Sequence, residues 1–124
     1  MKREEFAALA AGRILFLDGA MGSNLVKAGM PKNICTEAWI LEHREPILEL
    51  QRGYRDAGSD IVYAPTFAAN RICLKKHGKE DQVRELNRGL VELTRQAVGT
   101  DVLVAGDITT TGELLEPLGE LTEE

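Results

Sequence analysis

The chain has 124 residues, of which 44% are apolar and 28% charged, with a formal net charge of -5. This length fits one domain, residues 1–124, with a single hydrophobic core. The acidic balance disfavours binding to nucleic acid or to an anionic membrane surface, since both need clustered Lys and Arg. No apolar run approaches the roughly 20 residues that span a bilayer, and no apolar leader follows the basic start.

The cysteine content points to a reducing compartment. Cys35 and Cys73 lie far apart in the chain and belong to no metal or redox motif. Reduced thiols are the simplest interpretation of such a pair, so we expect a cytoplasmic protein.

The first residues predict a short leading helix. Phe6, Leu9 and Ala10 lie at helical spacing within residues 2–11, and Gly12 is typical of a helix end. This helix is expected to flank or plug the first strand of the fold.

Residues 14–17 form a short apolar run that ends at Asp18 and is followed by Gly19 and Gly22. The run predicts a fully buried strand, with a buried helix segment as the alternative. At the carboxyl end of a strand, Asp18 would lie where parallel α/β folds keep their chemistry. The glycines would let the backbone approach a ligand and offer N–H groups to an anionic group. The alternative is an ordinary strand-to-helix turn, in which Asp18 is an N-cap.

The next stretch has weaker signals. A short helix is predicted over residues 23–28, followed by a loop over 29–33 that continues through 35–41. Trp39 lies in that loop and is predicted to pack in the core or a lid, with substrate contact as the alternative.

Apolar periodicity then predicts helices over residues 46–57 and 81–98, alternating with strands over 61–64 and 102–106. Together with the strand near 14–17, this order indicates an α/β fold with a parallel sheet and right-handed crossovers. Parallel strands need cover on both faces, or closure into a barrel.

Polar residues follow each predicted strand. Asp18 follows the first strand, Thr66 and Asn70 the second, and Asp107 with residues 109–111 the third. Because the carboxyl ends of parallel strands meet at one rim of a sheet, we expect a shared site there.

Four motifs at these strand ends carry a resemblance. They are LDGAMG at 17–22, TFAANR at 66–71, GDI at 106–108 and LEPLG at 115–119. In this order and spacing the chain resembles the homocysteine S-methyltransferase family over about residues 14–124. Within that family it looks most like the N-terminal homocysteine-binding barrel of cobalamin-dependent methionine synthase.

The resemblance implies the first half of a (β/α)8 TIM-type barrel, since a complete barrel takes about 250 residues. It also implies that homocysteine or a related thiol binds at the carboxyl rim of the strands. The family holds the sulfur as a thiolate on zinc, and a methyl-corrinoid or methyltetrahydrofolate system supplies the methyl group. Zinc and cobalamin are therefore the cofactors expected for the full-length family.

The resemblance also assigns substrate-binding roles to rim residues. Asp18 is expected to hold the homocysteine ammonium, with Gly19 beside it through its backbone and Thr66 through its backbone or hydroxyl. Further candidates are Phe67, Asn70 and Asp107. No catalytic residue is assigned.

Two stretches depart from the family pattern. Residues 63–65 (YAP) stand where the family commonly has Glu-Thr-Asn, and residues 109–112 (TTTG) stand where it has Gly-Pro-Thr-Gly. Both lie on the substrate rim, so a corrinoid-linked methyltransferase with a different acceptor is an alternative.

The family's zinc thiolates come from cysteine motifs in the second half of its barrel, and neither motif occurs here. A catalytic zinc needs three protein ligands. Cys73 and His77 could share a helix face and supply two, but packing for Cys73 and for Cys35, with a surface position for His77, is the preferred interpretation. We therefore predict no metal site in this chain.

The leading hypothesis is a half-barrel segment of a homocysteine methyltransferase that is inactive alone. It would need the other half of the barrel or a corrinoid protein as partner, and its open sheet is expected to self-associate. The alternative is a non-catalytic binding or interaction module that needs no complementary half.

Overall fold

The computed structural model describes residues 1–122 of an α/β fold, so the last two residues of the predicted domain lie outside the described part. In chain order the elements are helices α1 (Arg3–Gly12), α2 (Gly22–Lys27), α3 (Thr36–Glu42) and α4 (Arg44–Asp56), strand β1 (Ile61–Tyr63), helix α5 (Arg71–Lys75), a 3₁₀ turn (Glu80–Gln82), helix α6 (Val83–Val98) and strand β2 (Leu103–Ala105). The predicted α/β class is confirmed, with both later strands slightly shorter than predicted. Within residues 1–122, no helix has the length and apolar character needed to cross a membrane.

The sheet is parallel, as predicted. β1 and β2 are neighbours, with Ile61 opposite Leu103 and Tyr63 opposite Ala105. The long connection between them carries α5 and α6, which is the crossover that parallel pairing requires.

Residues 14–18 run along the other edge of β1. Leu17 forms a parallel bridge with Ile61, whose own N–H donates to the Phe16 carbonyl at 3.2 Å. The Asp18 N–H donates to the Ile61 carbonyl at 3.0 Å. These contacts align residues 14–18 parallel to β1, although an isolated bridge forms here in place of the predicted strand.

The prediction that this first run is fully buried is wrong. Ile14 is 78% exposed, Phe16 62% and Leu17 48%. The helix nearest to them, α1, has no buried residue of its own. Its Phe6 side chain lines a shallow pocket together with Leu17, so α1 flanks the sheet without covering it.

The core lies on the opposite face of the sheet, where α4 and α6 pack together. Ile47 of α4, Val62 of β1 and Leu90 of α6 are each 0% exposed. In α6, apolar residues recur every three or four positions and so bury one stripe of the helix. The buried apolar residues of that stripe are Leu86, Leu90, Leu93, Ala97 and Val98.

The predicted loop over residues 35–41 is wrong, because α3 occupies most of it. Ala38 and Ile40 are buried against the core, and this packing stabilises α3. The sequence of this helix has no clear apolar periodicity, so the pattern did not predict it. Trp39 packs against the same core and stacks on His43, with ring centroids 4.6 Å apart. The predicted packing role of Trp39 is therefore confirmed.

Candidate functional site

A cavity of about 390 Å³ lies at the carboxyl ends of residues 14–18 and β1. It extends from the glycine-containing turn after Asp18 to the first turn of α3 and to the loop that follows β1. The residues that line it are Asp18, Gly19, Met21, Gly22, Leu25, Thr36, Glu37, Tyr63, Pro65, Phe67, Ala68 and Asp107. Four of the predicted site residues, Asp18, Gly19, Phe67 and Asp107, are thus brought together.

Asp18 is fixed to the end of β1 by its side chain. Its Oδ2 accepts the Tyr63 N–H at 3.2 Å. Burial raises the pKa of the Asp18 carboxyl above its usual value, and the nearby Asp107 charge raises it further, while the Tyr63 N–H opposes both effects. A cationic ligand group beside Asp18 would favour the ionised form and would therefore be bound by it.

A buried amide supports the strand end to which Asp18 is attached. Gln51 of α4 is 0% exposed, and its Nε2 donates to the Tyr63 carbonyl at 3.0 Å and to Thr94 Oγ1 at 3.1 Å. Gln51 therefore holds one side of Tyr63 while Asp18 accepts from its N–H. Sequence patterns did not identify Gln51, because a polar residue within a helix is usually a surface residue.

Gly19 packs against an aromatic ring. A Cβ at this position would lie 3.0 Å from the Tyr54 hydroxyl oxygen and 3.1 Å from its ring. The same hydroxyl donates to the Ala20 carbonyl at 2.7 Å. The missing side chain thus lets the turn after Asp18 lie directly against α4.

Thr66 joins the ends of β1 and β2 and does not line the cavity. Its hydroxyl donates to the Asp107 carbonyl at 2.8 Å and accepts the Asp107 N–H at 2.9 Å. Thr66 is buried, with 7% exposure, so this pair of hydrogen bonds places Asp107 at the rim. The predicted substrate contact of Thr66 is not visible in this arrangement and stays a prediction.

Asn70 also lies away from the cavity, at the start of α5. Its side-chain oxygen accepts the Cys73 N–H at 2.9 Å, and its Nδ2 donates to the Cys73 sulfur at 3.2 Å. This is an N-cap, the commonest structural use of Asn at a helix start. A substrate role for Asn70 stays a prediction.

Glu37 is the site residue that sequence reasoning missed. It lies in the first turn of α3, is 5% exposed, and accepts the Ala68 N–H at 3.0 Å. The sequence does contain a signal for Glu37, because an acidic residue just before an apolar stretch is typical of a helix start. Because residues 35–41 are predicted as a loop, that signal did not place Glu37 at a helix start or in the site.

The cavity wall carries charges of one sign. Among the described residues that line it, Asp18, Glu37 and Asp107 are acidic and none is basic. A wall of this kind favours a cationic group, such as the ammonium of an amino acid, over an anionic one.

The residues present do not fit a metal centre. In the part of the chain covered by residues 1–122, no group of three or more His, Cys, Asp or Glu side chains could hold a metal ion. α5 ends at Lys75, so Cys73 and His77 do not share a helix face, and His77 is exposed as the preferred interpretation expects. Cys35 is buried, and burial raises the pKa of its thiol, which makes it a poor metal ligand or nucleophile.

Residues 15–124 match the family described as homocysteine S-methyltransferase. The chain belongs to this family. The family assignment predicted from the four strand-end motifs is therefore confirmed.

Similar proteins include an S-methylmethionine–homocysteine S-methyltransferase from Pongo abelii, 29% identical over 112 residues that cover 89% of this chain. A betaine–homocysteine S-methyltransferase from Danio rerio is 30% identical over 118 residues, which cover 92% of this chain. The chain spans only 30% of the length of each of these homocysteine methyltransferases.

Solved structures of a homocysteine methyltransferase also resemble this chain. The metallated form of the homocysteine methyltransferase MmuM from Escherichia coli superposes with a TM-score of 0.70 at 29% identity. The match covers 85% of this chain and 41% of that protein. The fold of this family member thus resembles part of a homocysteine methyltransferase, and the relatives named here give no support for cobalamin.

Proposed function

We propose that this family member forms the amino-acid-binding part of a homocysteine S-methyltransferase site, within the first half of a (β/α)8 barrel. The observation that carries the proposal is the rim cavity, which is lined by Asp18 and by two further carboxylates, Glu37 and Asp107. The substrate is homocysteine or a related thiol. In the reaction its thiol gives up a proton, and the sulfur takes a methyl group from the donor as the donor's bond to that carbon breaks.

Asp18 binds the substrate ammonium in this proposal. Its carboxylate lines the cavity, and Oδ2 is oriented by the Tyr63 N–H. An ammonium placed against a partly buried carboxylate forms a charge-assisted hydrogen bond, which is stronger than one between neutral groups. Gly19 shapes the same turn, and Asp107 and Phe67 also line the cavity.

Zinc and a methyl-corrinoid are proposed for the complete enzyme. The side chains described in residues 1–122 supply no three-ligand metal set, so the zinc ligands would come from another part of the barrel. We propose that the 124-residue chain transfers no methyl group alone and needs a complementary part of the barrel or a corrinoid protein. Methyl transfer by the purified chain without any partner would overturn that proposal.

Calorimetric titration of L-homocysteine into the chain tests the binding role. Asp18→Asn keeps an oxygen that can accept the Tyr63 N–H but removes the charge, and we expect it to weaken binding by about 10-fold to 100-fold. Asp101→Asn, at an exposed position remote from the lining residues, is the matched control and should bind as wild type does.

A ligand that lacks the amino group makes the test specific. We expect 4-mercaptobutyrate to bind weakly to wild type and to Asp18→Asn alike, because neither complex contains the ion pair. Failure of wild type to bind homocysteine would overturn the proposed function. An equal loss of affinity for homocysteine and for 4-mercaptobutyrate in Asp18→Asn would show that Asp18 does not recognise the ammonium.

A further inference from the structure

Glu37 is a buried carboxylate in the cavity wall, and both of its oxygens face protein donors. Oε1 accepts the Ala68 N–H at 3.0 Å, and Oε2 accepts from the Cys35 thiol at 3.7 Å. Only 5% of the residue is exposed. Burying a carboxylate is costly unless hydrogen bonds compensate, so these two contacts explain how the charge is tolerated there.

The Ala68 amide belongs to a tight turn over residues 66–69. Within the turn, the Ala69 N–H donates to the Thr66 carbonyl at 3.0 Å. From outside, Asn87 of α6 donates from Nδ2 to the Ala69 carbonyl at 2.7 Å. The Thr66 hydroxyl is hydrogen-bonded to the backbone of Asp107, just after β2. Three separate parts of the fold therefore each hold one residue of the turn.

The two central residues of this turn, Phe67 and Ala68, line the cavity. Thr66 and Ala69, at its two ends, are buried, at 7% and 5% exposure, whereas Phe67 is 57% exposed. The position of Phe67 therefore depends on how firmly the backbone of residues 66–69 is held.

We propose that Glu37 is a positioning residue: it holds the Ala68 amide and thereby sets the turn that carries Phe67, without itself contacting the ligand. Its carboxylate is occupied by Ala68 and Cys35, which leaves the ammonium to Asp18. The effect on homocysteine rests on the proposed function, whereas the effect on the turn does not.

Two substitutions separate positioning from charge. Glu37→Gln keeps an oxygen that can accept the Ala68 N–H and removes the charge, whereas Glu37→Ala removes both. Glu42→Ala, at an exposed position at the end of α3, is the matched control. Hydrogen exchange of the Ala68 amide is measured in the ligand-free chain, and homocysteine affinity is measured by calorimetry.

We expect Glu37→Ala to speed Ala68 exchange by about tenfold or more, since the amide loses a charge-assisted bond. Homocysteine affinity should fall by about tenfold in Glu37→Ala and stay within about threefold of wild type in Glu37→Gln. Glu42→Ala should change neither quantity.

Unchanged Ala68 exchange in Glu37→Ala would overturn the proposal. So would an equal loss of affinity in Glu37→Gln and Glu37→Ala, because that pattern indicates a charge contact with the ligand. If Glu37→Ala does not fold, Glu37→Gln decides: retained affinity supports positioning, and lost affinity overturns it. If wild type does not bind homocysteine, the proposed function fails, and the exchange rates of Ala68 in Glu37→Gln and Glu37→Ala still decide the role of Glu37.

Discussion

The two faces of the sheet differ sharply in how they are covered. On one face, α4 and α6 pack on β1, and Val62 and Leu90 are completely buried. On the other face, Leu17 is 48% exposed and lines a pocket with Phe6 of α1, a helix that buries no residue of its own. Parallel strands are stable when both faces are covered. The covered face therefore holds this fold together, and the open face contributes little to its stability.

The largest expected effect comes from removing core volume on the covered face. Leu90→Ala should lower the free energy of unfolding by about 2–5 kcal/mol, because a fully buried Leu loses its contacts and leaves a cavity. Leu17→Ala, on the open face, should cost less than about 1 kcal/mol, since about half of that residue is already in water. Urea unfolding followed by circular dichroism measures both. Similar losses in the two variants would show that the open face is packed in solution.

Two carboxylates at the open edge should respond to pH in opposite ways. Asp60 accepts two hydrogen bonds from Arg13, at 2.7 and 2.9 Å, and one from the Phe16 N–H at 2.9 Å. The Arg13 side-chain hydrogen bond is the main reason that the pKa of Asp60 is lowered, and the Phe16 N–H adds to it. The pKa of Asp18 is raised, mainly by burial.

These opposite pKa shifts predict opposite effects of the two substitutions on stability. A lowered folded-state pKa gives stability that is present above the unfolded-state pKa and lost as pH falls through the folded value, so Asp60→Asn should destabilise at neutral pH and have less effect in acid. A raised folded-state pKa gives stability that is present below the unfolded-state value and lost as pH rises through the folded one. Asp18→Asn should therefore stabilise at neutral pH, and this gain should vanish in acid.

Urea midpoints measured from about pH 3 to pH 7 test both signs, with wild type at each pH as the reference. Both effects should be smaller than that of Leu90→Ala, because both carboxylates remain partly in contact with water. A destabilised Asp18→Asn at neutral pH would contradict the assignment of burial as the main influence on Asp18.

The covered face was predictable from the sequence, and the open face was not. The stripe of Leu86, Leu90 and Leu93 has the period of an amphipathic helix, so α6 and its buried side follow directly from the residue order. The apolar run over residues 14–17 predicts burial equally well. Whether it is buried depends on tertiary neighbours, and periodicity carries no information about them.

The same division applies to the candidate site. Asp18 and Asp107 follow predicted strands, so their place at the rim could be predicted from where the apolar runs end. Thr66 was predicted at the same rim, but its hydroxyl is bonded to Asp107, which only the relative position of the two strand ends determines. Glu37 was missed because α3 has a weak periodic pattern and was predicted as a loop.

The smallest expected effect is weak self-association through the sheet edge formed by residues 14–17. Ile14, Phe16 and Leu17 are exposed apolar residues along one edge of the sheet, and such an edge is a typical site of strand-to-strand association. We expect the mass in solution to rise with concentration when measured by sedimentation equilibrium. Phe16→Lys should shift that equilibrium toward the monomer, since a charge at an exposed edge opposes pairing, whereas Val91→Lys, at an exposed site on α6, should not. A monomeric wild type at all concentrations, or an equal shift in both variants, would mean that the exposed edge is not an association surface.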